Sequence, residues 1–192
     1  MANIIASVVI PPPPTDLALL VLQEQQLVFP SFTAHTAWEL GNLLRTQLLP
    51  QSKPTIIDIS ISSHPVQTLF HCALPGSVPD NEIWVSRKRK TVLRFGRSTW
   101  YMKNKYGGDE TLFATKNGLG NDANAYAIHG GGWPIRVKGV EGIVGVIVVS
   151  GLAQSEDHGI IVKVIREYLE SIGETLTAPI LGETEVEKKK ED

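Results

Sequence analysis

The chain has 192 residues, 42% of them hydrophobic, which suits one folded domain and excludes a mainly disordered protein. Its single cysteine, Cys72, excludes a disulfide scaffold and favours a reducing, cytoplasmic location. The net charge of −2 resides in residues 183–192, so the remaining chain is neutral and has no bulk attraction for nucleic acid or for an anionic membrane.

The two ends of the chain differ in composition from its middle. Residues 1–14 close on four consecutive prolines and predict a proline-rich N-terminal arm, which is either a spacer or a ligand for a partner. Residues 15–176 are expected to form a single domain, and residues 177–192 a charged, disordered tail. Because no apolar run reaches the roughly 18 residues of a membrane span, we expect no membrane insertion.

Two helices are predicted before the first strand. Thr15 or Asp16 can cap a helix over residues 17–28, which Pro30 ends. A second helix begins at residues 31–33 and ends before Pro50. Its predicted buried stripe follows the three- and four-residue spacing of an amphipathic helix and consists of Ala34, Trp38, Gly41, Leu44 and Leu48.

A β-hairpin and a third helix follow. Residues 56–61 and 67–74 alternate between apolar and polar side chains, and the turn at Ser62–Pro65 joins them as antiparallel strands. The third helix begins near Pro79, has Asp80 as its N-cap and extends to about Phe95.

The second half of the chain completes the predicted fold. Residues 103–125 are polar and rich in glycine, and they predict a lid or a flexible insertion with one helical turn at 109–114. Three strands are predicted at residues 126–129, 133–137 and 143–149, and Ser155 is expected to cap the last helix. This order of elements predicts an α+β fold with helices packed on a mostly antiparallel, five-stranded sheet.

A block of positive charge lies between residues 83 and 108, which hold eight basic residues and no acidic one. Four of these bases are spaced three, four and three apart, which predicts one helix face: Arg87, Lys90, Arg94 and Arg97. Guanidinium groups in a row suit a carboxylate or a phosphate. The alternative is a solvated face, or ion pairs with acids of another helix or subunit. Nucleic acid is not expected, because no known nucleic-acid-binding module surrounds the block.

A second candidate site is the run His129, Gly130, Gly131 and Gly132, which follows a predicted strand. Glycines there allow positive φ and close approach of a ligand to the backbone. The spacing is not that of a dinucleotide-binding fingerprint. His129 can act as an iron ligand or a base, or it can be a hydrogen-bonded structural residue.

A third candidate site lies where the last strand meets the last helix. Ser150 and Gly151 precede the helix N-terminus, whose free N–H groups form a general anion site. Asp157 and His158 are either an acid/base pair, or an acid that stabilises the helix start beside an unrelated histidine.

Several ordered motifs resemble one known family. They are Leu74–Trp84, Arg87-Lys88, Arg94–Ser98, His129–Gly131 with Pro134, Val149–Leu152 and Asp157-His158. Together they resemble a conserved-hypothetical branch of the haem-degrading, haem-binding-protein-like domain family, over about residues 31–173. The resemblance implies a profilin-like sheet with helices on both faces and a cytoplasmic homo-oligomer. It implies haem or iron as a ligand of some relatives, and it transfers no catalytic residue.

Three functions stay open at this point. The first is binding, with or without degradation, of a small anionic or haem-like ligand near the Gly130–Gly132 loop. His129 or His158 would be its ligand or base, and one or two of Arg87, Arg94 and Arg97 would hold its carboxylates. The second is a non-enzymatic, oligomeric scaffold or adaptor in which the basic face and the glycine run are subunit contacts. The third is an enzyme acting on a small carboxylate or phosphate metabolite. The haem-attachment motif C-x-x-C-H does not occur.

Overall fold

A four-stranded antiparallel sheet forms the centre of the computed structural model, which describes residues 8–182. The strands lie in the order β2-β1-β4-β3, so β1 and β4 are central and β2 is an edge strand. Their bounds are β1 (Ile56–Ile61), β2 (Gln67–Ala73), β3 (Gly132–Ile135) and β4 (Gly145–Ser150). The predicted α+β class and the predicted hairpin of the first two strands are confirmed.

Helices cover both faces of this sheet. On one face, α2 (Ala34–Leu48) and α6 (Gln154–Ser171) pack against a cluster that contains Ile57, Ile59 and Val149. On the other face, α3 (Pro79–Phe95) packs against Ile56, Val146 and Val148. The polar residues of β1 are therefore buried as well, with Asp58 2% exposed, although their alternation with isoleucine resembles that of a half-exposed strand.

The first two helices begin near their predicted caps. Asp16 accepts a hydrogen bond from Leu19 N at the start of α1 (Leu17–Gln26), and Thr33 caps α2. The buried stripe predicted for α2 is wrong at Ala34 and Trp38, because Trp38 is 60% exposed. The helix approaches the sheet through Gly41, where a Cβ atom would lie 2.3 Å from the Phe70 ring.

The predicted N-caps of α3 and α6, Asp80 and Ser155, are wrong by two residues, because the caps are Val78 and Ala153. Pro79 occupies the first turn of α3, and Asn81 Oδ1 reaches back to accept from Val78 N at 2.8 Å. Glu156 Oε2 accepts from Ala153 N at 3.1 Å in the same way at α6. In both helices a side chain of the first turn therefore accepts from the backbone N–H of the N-cap residue, whose own side chain makes no capping hydrogen bond.

The predicted fifth strand at Tyr126–His129 is wrong, because that segment forms no strand in the sheet. Its backbone groups bond side chains of α3 instead. Tyr126 O accepts from Arg87 Nε at 3.0 Å, and Ala127 N donates to Thr91 Oγ1 at 3.1 Å. These side chains therefore take the place of the neighbouring strand to which the predicted strand would have hydrogen-bonded.

The segment predicted as a lid or a flexible insertion is ordered. It contains α4 (Thr99–Lys105), α5 (Glu110–Lys116) and a 3₁₀ helix at Gly120–Ala125. These elements enclose a separate buried cluster, formed by Met102, Phe113, Leu119, Tyr126 and Ile128. Within residues 8–182, no helix is long and apolar enough to cross a membrane.

The described part of the N-terminal arm lies against the body of the protein. Trp100 Nε1 donates to Pro14 O at 2.8 Å, and Gly182 N donates to Pro12 O at 2.8 Å. The acidic and basic residues of the predicted tail, 183–192, lie outside the described residues.

Candidate functional site

A pocket of about 210 Å³ opens where β4 ends and α6 begins. Three stretches meet there: the first turns of α3, the glycine run after His129, and the connection between β4 and α6. The pocket is lined by Asn81, Trp84, Lys88, His129, Ser150, Gly151, Leu152, Gln154 and Asp157. The structure thereby unites the second and third candidate sites of the sequence, and adds Trp84 and Lys88 to them.

The glycine run is packed against the protein's own backbone. Gly131 has φ +108°, and a Cβ atom on it would lie 2.2 Å from Val149 O and 2.9 Å from Lys88 Nζ. A Cβ atom on Gly130 would lie 2.2 Å from Gln154 O. These two glycines are therefore required for the close approach of loop, strand and helix that forms the pocket.

Lys88 and Asp157 form a buried ion pair at this pocket. Lys88 Nζ lies 3.0 Å from Asp157 Oδ2 and 3.1 Å from Val149 O, and each side chain is 3% exposed. Burial raises the pKa of Asp157 to about 6, although Lys88 and the Leu152 amide act to lower it. One feature of the sequence indicates this buried position: Lys88 falls between Val85 and Val92 on the buried stripe of α3.

The carboxylate of Asp157 occupies the N–H groups that were expected to bind an external anion. Oδ1 accepts from Leu152 N at 3.0 Å, and Oδ2 lies 3.4 Å from Gly151 N. Ser150 is 5% exposed and lines the same pocket. The strand end therefore binds an anion, but the anion is the side chain of the protein itself.

His158 points away from Asp157, so the two do not form an acid/base pair. Its Nε2 lies 2.9 Å from Gln23 Oε1, and its ring packs between Trp100 and Trp133. Complete burial lowers the pKa of His158 to about 3, so the ring is neutral. Consecutive residues of a helix diverge by about 100°, which separates the two side chains.

His129 lies at the pocket with 32% of its side chain exposed. Its ring meets Trp84 edge-to-face at 4.8 Å between centroids. Its Nδ1 is 3.3 Å from Glu110 Oε1, but the two are not aligned as a hydrogen bond, so this buried nitrogen has no described partner. Burial lowers the pKa of His129, assisted by Lys88 and Arg87 and opposed by Glu110, which favours a neutral imidazole.

The basic residues proposed as ligand clamps contact other parts of the protein. Arg87 Nε bonds Tyr126 O, and Arg94 Nη1 bonds the Tyr126 hydroxyl at 3.1 Å. Arg97 lies beyond the end of α3, because Gly96 terminates the helix at φ +63°, and its guanidinium pairs with Glu24 at 2.9 Å. The pairs of Arg97 with Glu24 of α1 and of Arg87 with Glu110 of α5, at 3.6 Å, agree with the alternative of ion pairs with acids of another helix. Arg97 is not on the helix face predicted for it.

Within residues 8–182, no group of three or more histidine, cysteine, aspartate or glutamate side chains is arranged to hold a metal ion. An iron already coordinated by a porphyrin would need only one donor from the protein. His129 is the histidine that lines the pocket.

The profile of the family described as haem degrading protein HbpS-like matches residues 32–166. A UPF0303 protein of Streptomyces coelicolor is 42% identical over 159 residues, which are 83% of this chain and 96% of the relative. A UPF0303 protein of Sinorhizobium medicae is 42% identical over 154 residues, which are 80% of this chain and 90% of the relative. The matched span agrees with the expected resemblance.

Solved structures show the same fold. The crystal structure of the Ybr137w protein has a TM-score of 0.74 and 31% identity, covering 83% of this chain and 90% of its own. HbpS has a TM-score of 0.52 at 17% identity, with 74% of this chain and 91% of its own covered. A PduOC:heme complex has a TM-score of 0.55 at 16% identity, covering 71% and 94% respectively. At such low identity, these last two show the fold alone.

Proposed function

The chain belongs to the family of haem degrading, HbpS-like proteins, and from this premise we propose that it binds a small carboxylate ligand in the pocket beside His129. The observation that carries the proposal is the Lys88 ammonium group in the pocket lining. An ammonium group has three N–H donors, and Asp157 and Val149 O engage two of them. The remaining donor suits a ligand carboxylate.

Other pocket groups support a ligand that is partly polar and partly aromatic. Gln154 Oε1 and His129 Nδ1 are buried without a described hydrogen-bond partner, and such atoms are costly unless a ligand or water satisfies them. Trp84 supplies an aromatic wall on which a flat ligand can pack. Aromatic and polar groups that converge in one concave pocket are typical of small-molecule sites.

The pocket is too small to enclose a haem. His129 has the neutral imidazole that axial ligation of haem iron requires, and Lys88 suits a propionate. The pocket of about 210 Å³ is nevertheless smaller than the roughly 300–1,000 Å³ of sites that bury drug-sized ligands. We therefore assign a ligand smaller than haem, and haem propionate becomes the alternative source of the carboxylate.

Binding of this ligand is coupled to the protonation of Asp157. The Asp157 carboxylate competes for Lys88, and its pKa is about 6, so acidification below pH 6 neutralises the competitor. A ligand carboxyl with an ordinary pKa of about 4 stays ionised between pH 5 and 6. Carboxylate affinity should therefore increase when the pH falls from 7.5 to 5.5.

Tryptophan fluorescence during titration tests the proposal with two probes, benzoate and haemin. Benzoate should bind saturably to the wild type and to His35→Ala, a control at an exposed histidine, and at least tenfold more weakly to His129→Ala. The wild type should bind benzoate more tightly at pH 5.5 than at pH 7.5. Absence of saturable benzoate binding overturns the proposal. Haemin binding that depends on His129, without benzoate binding, overturns the assigned ligand size.

A second candidate function is a homo-oligomeric scaffold, and the exposed Trp38 favours it. Trp38 is 60% exposed and stacks edge-on against Phe70 of the edge strand β2 at 6.0 Å. An exposed tryptophan beside an edge strand suits a contact with a second copy of the chain. Light scattering should then give a multiple of 21.0 kDa that Trp38→Glu reduces to a monomer. A monomeric wild type overturns this candidate.

The free thiol of Cys72 supports a cytoplasmic location.

A further inference from the structure

A second pocket, of about 170 Å³, lies where the two ends of the described chain cross over α6. The proline arm and the segment after α6 are joined by a hydrogen bond of 2.8 Å from Gly182 N to Pro12 O. Gln23 Nε2 fixes the same segment by donating to Ile180 O at 2.8 Å. These contacts form a roof over the side of α6 that carries Val162 and Arg166.

The roof rests closely on the helix beneath it. A Cβ atom on Gly159 would lie 2.6 Å from Pro11 O, so only glycine allows the arm to approach α6 at this position. Gly182 is equally close to the arm, with a Cβ position 2.3 Å from Pro13 O. The indole of Trp100 holds the arm through Pro14 O. The pocket is thus formed by packing and hydrogen bonds of the described residues.

The pocket walls are mainly apolar. Pro11, Pro13 and Pro179 contribute pyrrolidine rings, and Val162 and Leu181 contribute aliphatic side chains. Gln23 also lines the pocket, but its amide is already engaged by Ile180 O and by His158 Nε2. An apolar pocket of this size favours a compact apolar ligand over water, because water needs several polar partners.

The side chain of Arg166, a lining residue, has one buried N–H group without a described partner. Arg166 donates through Nη1 to Thr177 O at 2.8 Å and through Nη2 to Gln26 Oε1 at 3.1 Å, while its buried Nε donates to no described group. The positive charge of Arg166 is balanced by Glu170 at 3.5 Å. Arg166 therefore retains one N–H donor for a ligand, and its ion pair with Glu170 means that the ligand need not be an anion.

We propose that this second pocket binds a neutral, single-ring aromatic molecule with one acceptor oxygen, such as a phenol, whose oxygen accepts from Arg166 Nε. The size agrees, because an engineered apolar cavity of about 150 Å³ binds benzene. The arm and the segment after α6 lie outside the matched span 32–166, so this site uses residues that the family profile does not cover. It is also independent of the His129 pocket.

Fluorine NMR of 4-fluorophenol with the full chain tests the proposal. The signal should shift saturably with the wild type and with Val140→Phe, a control at an exposed turn residue. Val162→Phe should fill the pocket and weaken binding at least tenfold. Arg166→Met should weaken it at least about fivefold, because it removes the hydrogen bond to the phenol and also the Arg166 bonds to Thr177 and Gln26. Binding should be unchanged in His129→Ala, which separates this site from the proposed carboxylate site.

Nuclear Overhauser effects between the ligand and the protein provide a second measurement, which needs no variant. Nuclear Overhauser effects should connect the ring protons of bound 4-fluorophenol to the methyl groups of Val162 and Leu181. The proposal is overturned if the wild type shows no saturable shift. It is equally overturned if the Overhauser effects arise only from residues outside the pocket.

Discussion

The substitution Lys88→Met is predicted to destabilise the protein strongly and in a pH-dependent way. It removes the ammonium group 3.0 Å from Asp157 Oδ2 and leaves the carboxyl group of Asp157, a side chain that is 3% exposed, without its counter-ion. Removing one partner of a buried ion pair costs about 3–5 kcal/mol. We expect a loss of that size in the free energy of unfolding at pH 8, where the wild-type Asp157 is ionised.

The loss should become smaller on acidification. Lys88 is the strongest influence that lowers the pKa of Asp157, so the variant has a still higher pKa and its carboxyl group takes up a proton more readily. Below pH 6, the wild-type carboxyl is also mostly protonated, and the difference reduces chiefly to the lost bond to Val149 O. That bond is worth about 1 kcal/mol.

Urea unfolding followed by far-ultraviolet circular dichroism at pH 8 and pH 5 measures both values. The matched control is Lys90→Met, because Lys90 is an exposed base on the same helix. The control should lose less than about 1 kcal/mol at either pH. A loss for Lys88→Met that is the same at both pH values, or no larger than that of the control, would refute the reasoning.

Two further predictions concern Gly131 and His158. Gly131→Ala should destabilise the protein by several kcal/mol in thermal unfolding, whereas Gly139→Ala should cost about 1 kcal/mol, since both have positive φ but only Gly131 is packed against neighbours. The native pKa of His158 is about 3 against an ordinary 6.5, so the unfolded chain binds the proton first and wild-type stability is lost as the pH falls between these values. His158→Gln should therefore gain about 3 kcal/mol relative to the wild type between pH 7 and pH 4, as measured by urea unfolding, and an unchanged difference contradicts this pKa.

Much of the fold follows from local sequence patterns. Prolines and capping residues placed the helix ends within a few residues, and the strand at Ile56–Ile61 has its predicted bounds. The prediction of a fifth strand was wrong because the sequence of an apolar, extended segment does not show which groups its backbone will hydrogen-bond. Arg87 and Thr91, which lie more than 30 residues before Tyr126 and Ala127, supply those partners from α3.

The candidate site was predictable only in part for a similar reason. His129, Gly131 and Asp157 stood out because each belongs to an unusual local motif. In the structure His129 and Asp157 line one pocket, and Gly131 packs beside Asp157. Lys88 differs in sequence from the bases beside it only by its position between Val85 and Val92 on one face of α3. Its partner Asp157 is 69 residues further along the chain, and only the packing of α3 against the end of β4 unites them.

The crystal structure of the protein with bound benzoate tests the central proposal most directly. We expect the benzoate carboxylate to lie within hydrogen-bond distance of Lys88 Nζ, with the aromatic ring against Trp84 and beside His129. A benzoate bound elsewhere, with the pocket beside His129 filled only by solvent at saturating ligand, would contradict it.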